Sequence, residues 1–345
     1  MRRFPACAYL ILLVACSGSS EDYFRDLDPE SGPPAELVVR NETRQRKEWG
    51  RQMKALLHAG QYDSLDAIAR ELRQHRTRWP NGNWKLRTFY GFGFEEPAVA
   101  SSESQWKTLL DELRGWSKAR PNSATARVAL GTALLGYAWH ARGSGWAREV
   151  SDDGYRLFHR RLGEADSVLR TSRHLAERCP GMEATLLRVA LGQGWKRPVY
   201  DSLFNAAIQA EPTYDAYYEL KAYRLLPRWF GRPGEWERYA DQVANHIGGP
   251  EGDAVYARLV WYLTEFHRNI FKETDASWER TSRGYRHLLR RYPHSLELQS
   301  QYGLLAVYAE SPAQARLMFE RIGSRVDPEI WSRDYFVSAR EWATQ

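Results

Sequence analysis

Two short stretches of the chain place arginine beside aromatic rings at a glycine turn. One holds Trp139, His140, Arg142 and Trp146, and the other holds Arg228, Trp229, Arg232 and Trp236. A guanidinium is a planar fork of donors, and a neighbouring indole offers a face on which a flat group stacks. Together they suit a peptide carboxylate or an anionic sugar. The plainer role for the same residues is structural. Indoles pack helix ends, and arginines donate to the last carbonyls of a helix, its negative pole. These eight residues are the candidates for ligand or partner binding.

Other chemistry is sparser. Glu95-Glu96 and Asp152-Asp153 are adjacent acids, and glycoside hydrolysis uses two carboxylates, so loop acids near Asp152 give an alternative reading as an enzyme acting on envelope glycan. Adjacent loop acids are more commonly solvated. The nine histidines are scattered and form no H-E-x-x-H. Glu265 and His267, two apart, point to different sides of a helix. We expect no metal site and no cofactor. Gly143-Ser144-Gly145 has the outline of a nucleophile elbow, but no strand precedes it, so it reads as a helix stop. No catalytic residue is assigned.

The N-terminus carries an address. Arg2 and Arg3 precede an apolar run from Ala6 to Ala15 that is too short for an ordinary membrane span. The run ends in Leu13-Val14-Ala15-Cys16, which resembles a bacterial lipobox. That resemblance implies cleavage before Cys16, lipidation of its thiol and a membrane anchor. Ser17 follows with no Asp, which by resemblance to Gram-negative lipoproteins implies the outer membrane, facing the periplasm. Residues 1–15 are then signal, and residues 16–43 carry the lipid and a tether rich in Ser, Gly and Pro. Cys7 leaves with the signal, so Cys179 has no partner for an internal disulfide. Loss of two arginines leaves 47 basic against 43 acidic side chains, a net +4, too mild to argue for nucleic acid.

The body must position these residues with helices. Apolar residues make up 43 % of the chain and charged residues 27 %, ordinary for a protein with a buried core. Apolar positions recur at steps of three and four through almost every stretch from Arg44 onward. The exception is residues 79–104, where Pro80, Gly82, Gly91, Gly93 and Pro97 break the period and dense aromatics suggest a plug. Prolines at 121, 180, 212, 250, 293 and 328 recur at about one helix pair and read as helix closers.

The spacing of Trp49, Leu56, Gly60, Tyr62 and Ala69 resembles a degenerate tetratricopeptide repeat, as does that of Gly303, Ala315 and Phe319. We therefore expect an all-α, tetratricopeptide-like helical-repeat solenoid with halves at 44–180 and 181–345. Tyr137 to Gly145, and Leu226-Pro227-Arg228-Trp229-Phe230-Gly231 with Pro233, Glu235 and Trp236, resemble a bacterial family of such proteins without an assigned activity. The expectation is a lipid-anchored scaffold of the cell envelope that binds a protein or peptide partner, because stacked helix pairs build extended binding surfaces.

Overall fold

The computed structural model describes residues 37–39, 41–97, 102–143, 149–175 and 178–345. The signal, Cys16, most of the tether and Trp146 lie outside the described residues. Within them the protein is all-α, with sixteen helices and one two-residue parallel pairing. It divides into two compact units.

The described part of the second unit begins with β1 (Val38–Val39) and the first residues of α1 (Glu42–His58). The first unit takes Arg46–Thr77 and Trp84–Leu220. It contains the rest of α1, α2 (Tyr62–Gln74), α3 (Lys85–Phe94), α4 (Glu103–Ala119), α5 (Ala124–Arg142), α6 (Asp152–Thr171), α7 (Pro180–Gly192), α8 (Arg197–Ala210) and the start of α9 (Ala216–Arg224). The division by compactness falls after Leu220 rather than at the Pro180 turn.

Helix α5 is the axis of this unit and packs on α3, α4, α6 and α7. Its sequence allows that. Ala129, Gly131, Ala133 and Ala138 let neighbours approach closely, and the helix is buried on nearly every side. Ser123 caps its first turn, its side chain accepting from the Ala126 amide. Cys179 is buried, with its Sγ 3.1 Å from the Tyr90 hydroxyl, and burial pushes its thiol upward in pKa.

Two expectations about local structure are corrected. Residues 85–94 are helical, not a plug of loop. Leu86, Phe89, Tyr90, Gly93 and Phe94 fall on one buried face of α3, and that burial overrides the low helix propensity of glycine. Pro180 and Pro250 open helices instead of closing them. Each sits in a first turn, where its missing amide hydrogen costs nothing.

The second unit adds Arg78–Asn83 and Lys221–Gln345. Its helices are α10 (Glu235–Ile247), α11 (Gly249–Thr264), α12 (Ile270–Glu273), α13 (Trp278–Arg291), α14 (Leu296–Tyr308), α15 (Pro312–Ile322) and α16 (Arg333–Thr344), with β2 (Arg325–Val326) pairing with β1. Packing joins α10 to α11, α11 to α13, α14 to α15 and α15 to α16.

Its interior holds a polar network built around the 78–83 turn. Arg258 is buried and donates to the Asn81 carbonyl at 2.6 Å and to Asn83 Oδ1 at 3.2 Å. Asn81 Nδ2 donates to buried Glu297 at 2.9 Å, and Gln301 donates to the other oxygen of the same carboxylate at 3.2 Å. Gln301 in turn accepts from the Tyr285 hydroxyl at 3.0 Å. A buried charge held this way is tolerable because most of its lone pairs and protons find partners, although Arg258 Nε meets no acceptor among the described residues. At the start of α14, Glu42 accepts from the Leu296 amide at 2.8 Å, placing an anion at a helix N-terminus.

Candidate functional site

The C-terminal end of α5 gathers charged and aromatic side chains that the sequence does not show as neighbours. Tyr137 donates its hydroxyl to Glu103, at the start of α4. Arg161, from α6, is 3 % exposed and lies with its guanidinium carbon 3.1 Å from the centre of the Tyr137 ring. Its Nη1 donates to the Tyr137 carbonyl at 2.9 Å, and its Nη2 sits 3.3 and 3.4 Å from the two Glu103 oxygens. The Glu103 side chain is nevertheless 66 % exposed. Its carboxyl is held below the usual range, first by the Tyr137 hydrogen bond and then by the Arg161 charge, against some desolvation. Burial, followed by the bond to Glu103, raises the Tyr137 hydroxyl.

Around this anion stand the sequence candidates of the first turn. His140 is exposed and stacks near Tyr137, ring centres 6.5 Å apart, with Trp106 at 5.6 Å on another side. Trp139 is half-buried and packs edge-on against Phe158 at 4.9 Å. Arg142 lies 5.8 Å from the Trp139 ring and donates to the Gly143 carbonyl at 3.1 Å. That last bond is the capping role expected of an arginine at a helix end. The site therefore presents a fixed carboxylate, an exposed imidazole and a guanidinium over an indole.

The second turn belongs to the other unit. Trp236 is fully buried in the first turn of α10, and Trp229 is half-buried against Tyr223 at 5.6 Å. Arg228 and Arg232 are exposed, and Arg228 lies 5.5 Å from the Phe266 ring. The chain folds back so tightly here that a Cβ on Gly231 would stand 1.7 Å from the Leu225 carbonyl oxygen. Gly231 is thus a steric requirement of the turn.

Two of the acids singled out for hydrolysis are engaged by arginines. Glu95 is bound by both terminal nitrogens of Arg188. Asp152 and Asp153 are exposed in the first turn of α6, where a helix favours anions, and Asp153 pairs with Arg156 at 2.8 Å. Among the described residues no group of His, Cys, Asp and Glu is arranged to hold a metal ion.

Sequence reasoning missed Glu103, Tyr137 and Arg161. A signal for Arg161 exists: it falls in register with Phe158, Leu162 and Ala165, so a charge occupies a core position of α6. Such a charge requires a partner from another element. Periodicity cannot say which element supplies it.

Residues 50–159 match a family model described as "Domain of unknown function (DUF4034)". The match takes in Glu103, Trp106, Tyr137, Trp139, His140 and Arg142, stops just short of Arg161, and contains none of the second turn. No curated protein and no solved structure matches the chain.

Proposed function

We propose that this is a lipid-anchored helical-repeat protein of the cell envelope that holds a protein or peptide partner at the end of α5. The observation that carries the reading is the Glu103 carboxylate: exposed to solvent, yet fixed by a buried arginine and a tyrosine hydroxyl. A charged group preorganised by core residues loses little freedom when it binds, which favours recognition. His140 and the Arg142–Trp139 pair extend the same surface and match donors, acceptors and rings of a peptide. The lipobox-like N-terminus supports the envelope location.

The test separates binding from folding. Partner retention from envelope fractions and thermal stability are measured on Glu103→Gln, Arg142→Ala, Arg228→Ala and Trp139→Ala. We expect Glu103→Gln and Arg142→Ala to lose retention by about tenfold or more, the scale of a charged contact at an interface, while losing clearly less stability than Trp139→Ala. Trp139→Ala opens a packed site against Phe158 and loses stability, by about 3 kcal/mol. If the Glu103 and Arg142 variants lose as much stability as Trp139→Ala and captured partners are unchanged, these residues are helix caps and the reading fails.

A further inference from the structure

Helix α13 is two-faced. Thr281, Ser282, Gly284, Tyr285, Leu288 and Leu289 are buried. Arg283, Arg286 and Arg290, at steps of three and four, share an exposed face. Arg283 is neutralised by Asp253 at 2.7 Å and Glu279 at 2.7 Å. His287 and Arg291, on the flank, share Glu251 at 3.0 and 3.7 Å. Arg286 and Arg290 make no ion pair among the described residues. Arg290, in the last turn, is accounted for by the negative pole of the helix. Arg286, in the middle, is not.

A second observation places this strip. The tether enters the fold at the junction that follows α13, where Glu42 accepts from the Ser295 hydroxyl at 3.4 Å and the Leu296 amide at 2.8 Å. Arg44, two residues on, is exposed and likewise makes no ion pair among the described residues. From Cys16 to Val38 the chain runs 22 residues. As a flexible coil that length spans about 26 Å, and it reaches at most about 75 Å. A lipid on Cys16 would hold this junction within that distance of a bilayer.

We propose that the exposed strip Arg286–Arg290 of α13, with Arg44 beside the tether, is a membrane-facing surface that rests on anionic phospholipid headgroups. The inference rests on the lipid-anchor reading for its geometry. Lipid headgroups fit better than a bidentate ligand because the free arginines are spread along a helix face, with no convergent polar groups between them. Each basic side chain near an anionic surface adds about fivefold to partitioning, so an acyl chain and a weak basic patch together make a stable attachment.

The test uses the chain from residue 16 onward carrying Cys16→Ser, so that neither acyl chains nor the basic, apolar signal of residues 1–15 contributes. Sedimentation is compared with vesicles of phosphatidylcholine alone and of phosphatidylcholine mixed equally with phosphatidylglycerol. We expect a preference for the anionic vesicles that weakens as salt is raised. Arg286→Ala with Arg290→Ala should cut that preference by about 25-fold, with little change in the melting temperature. The corresponding double Lys variant should keep it, because a bilayer reads charge and not a planar fork. No anionic preference, a preference untouched by the double Ala variant, or a double Lys variant that behaves like Ala would each overturn the proposal. Palmitate labelling of the wild-type chain reports separately on the anchor. A chain that fails to label but prefers anionic vesicles loses the anchor and keeps the strip.

Discussion

Glu237 shows how a single side chain can escape a reading of sequence. It follows Trp236 in the first turn of α10, a position where acids are favoured by the helix dipole, and nothing marks it as unusual. In the fold it is 6 % exposed, and its Oε2 meets no donor among the described residues. Burial, then the nearby Asp275 charge, pushes its carboxyl upward despite backbone hydrogen bonds and the influence of His267. A carboxyl raised in the folded state takes up its proton more readily there than when unfolded. Its charge therefore lowers stability above the folded pKa, and the penalty disappears as pH falls through it. We expect Glu237→Gln to stabilise the protein at pH 7, with the gain shrinking in mildly acidic buffer. Melting curves of the two proteins across pH measure this, and a gain independent of pH would mean that the charge is not the cause. Glu103 shows the opposite sign. Its lowered carboxyl contributes stability above the unfolded value of 4.5, which is lost as pH falls further.

At the scale of elements the sequence was largely legible. Helices announce themselves through apolar spacing. Their first turns are capped by serines that the spacing did not single out: Ser102, Ser123, Ser151, Ser277, Ser295 and Ser332 all accept from a backbone amide in the first turn. Residues 85–94 were not legible because Gly91 and Gly93 depress local propensity while the aromatic burial that compensates comes from other parts of the chain. The turn motifs were legible as motifs, but not as surfaces. Whether Trp236 is a platform or core depends on what covers it, and it is core. Close helix approach is a further property that spacing conceals. Gly284 of α13 faces α11, and a Cβ there would stand 2.1 Å from the Asp253 carbonyl oxygen and 2.6 Å from Ala257 Cβ. Two backbones this near cannot yield to a methyl group without separating. Gly284→Ala should cost about 1 to 3 kcal/mol, read as a lower denaturation midpoint, although alanine is the better helix former. A midpoint at or above wild type would show that the helices separate freely.

For the whole molecule, the division into units is not a division of the chain into halves. Residues 37–45 and Arg78–Asn83 belong with Lys221–Gln345, while the segments between them belong to the first unit. No sequence pattern revealed this, because Asn81 and Glu297 meet across 216 positions through one hydrogen bond. Asn81→Ala removes a donor from a buried carboxylate and the Oδ1 that accepts from the Asn83 amide at 3.1 Å. We expect a loss of about 2 to 4 kcal/mol. Hydrogen exchange should show it in α11, α13 and α14, far away in sequence, and not in α5 or α6. Loss of protection confined to α2 and α3 would contradict that assignment.

The borrowed turn at 78–83 also bears on inheritance. A repeat protein ordinarily grows or shrinks by duplicating, deleting or exchanging contiguous blocks, because each block touches only its neighbours. Here a crossover at any single point between Asn83 and Lys221 would deliver the C-terminal block without the asparagines that Arg258 and Glu297 hold. The recombinant would carry a buried guanidinium stripped of its asparagine acceptors and a buried carboxylate that keeps Gln301 but has lost Asn81. Such a chain can change by substitution within its repeats far more readily than by shuffling them.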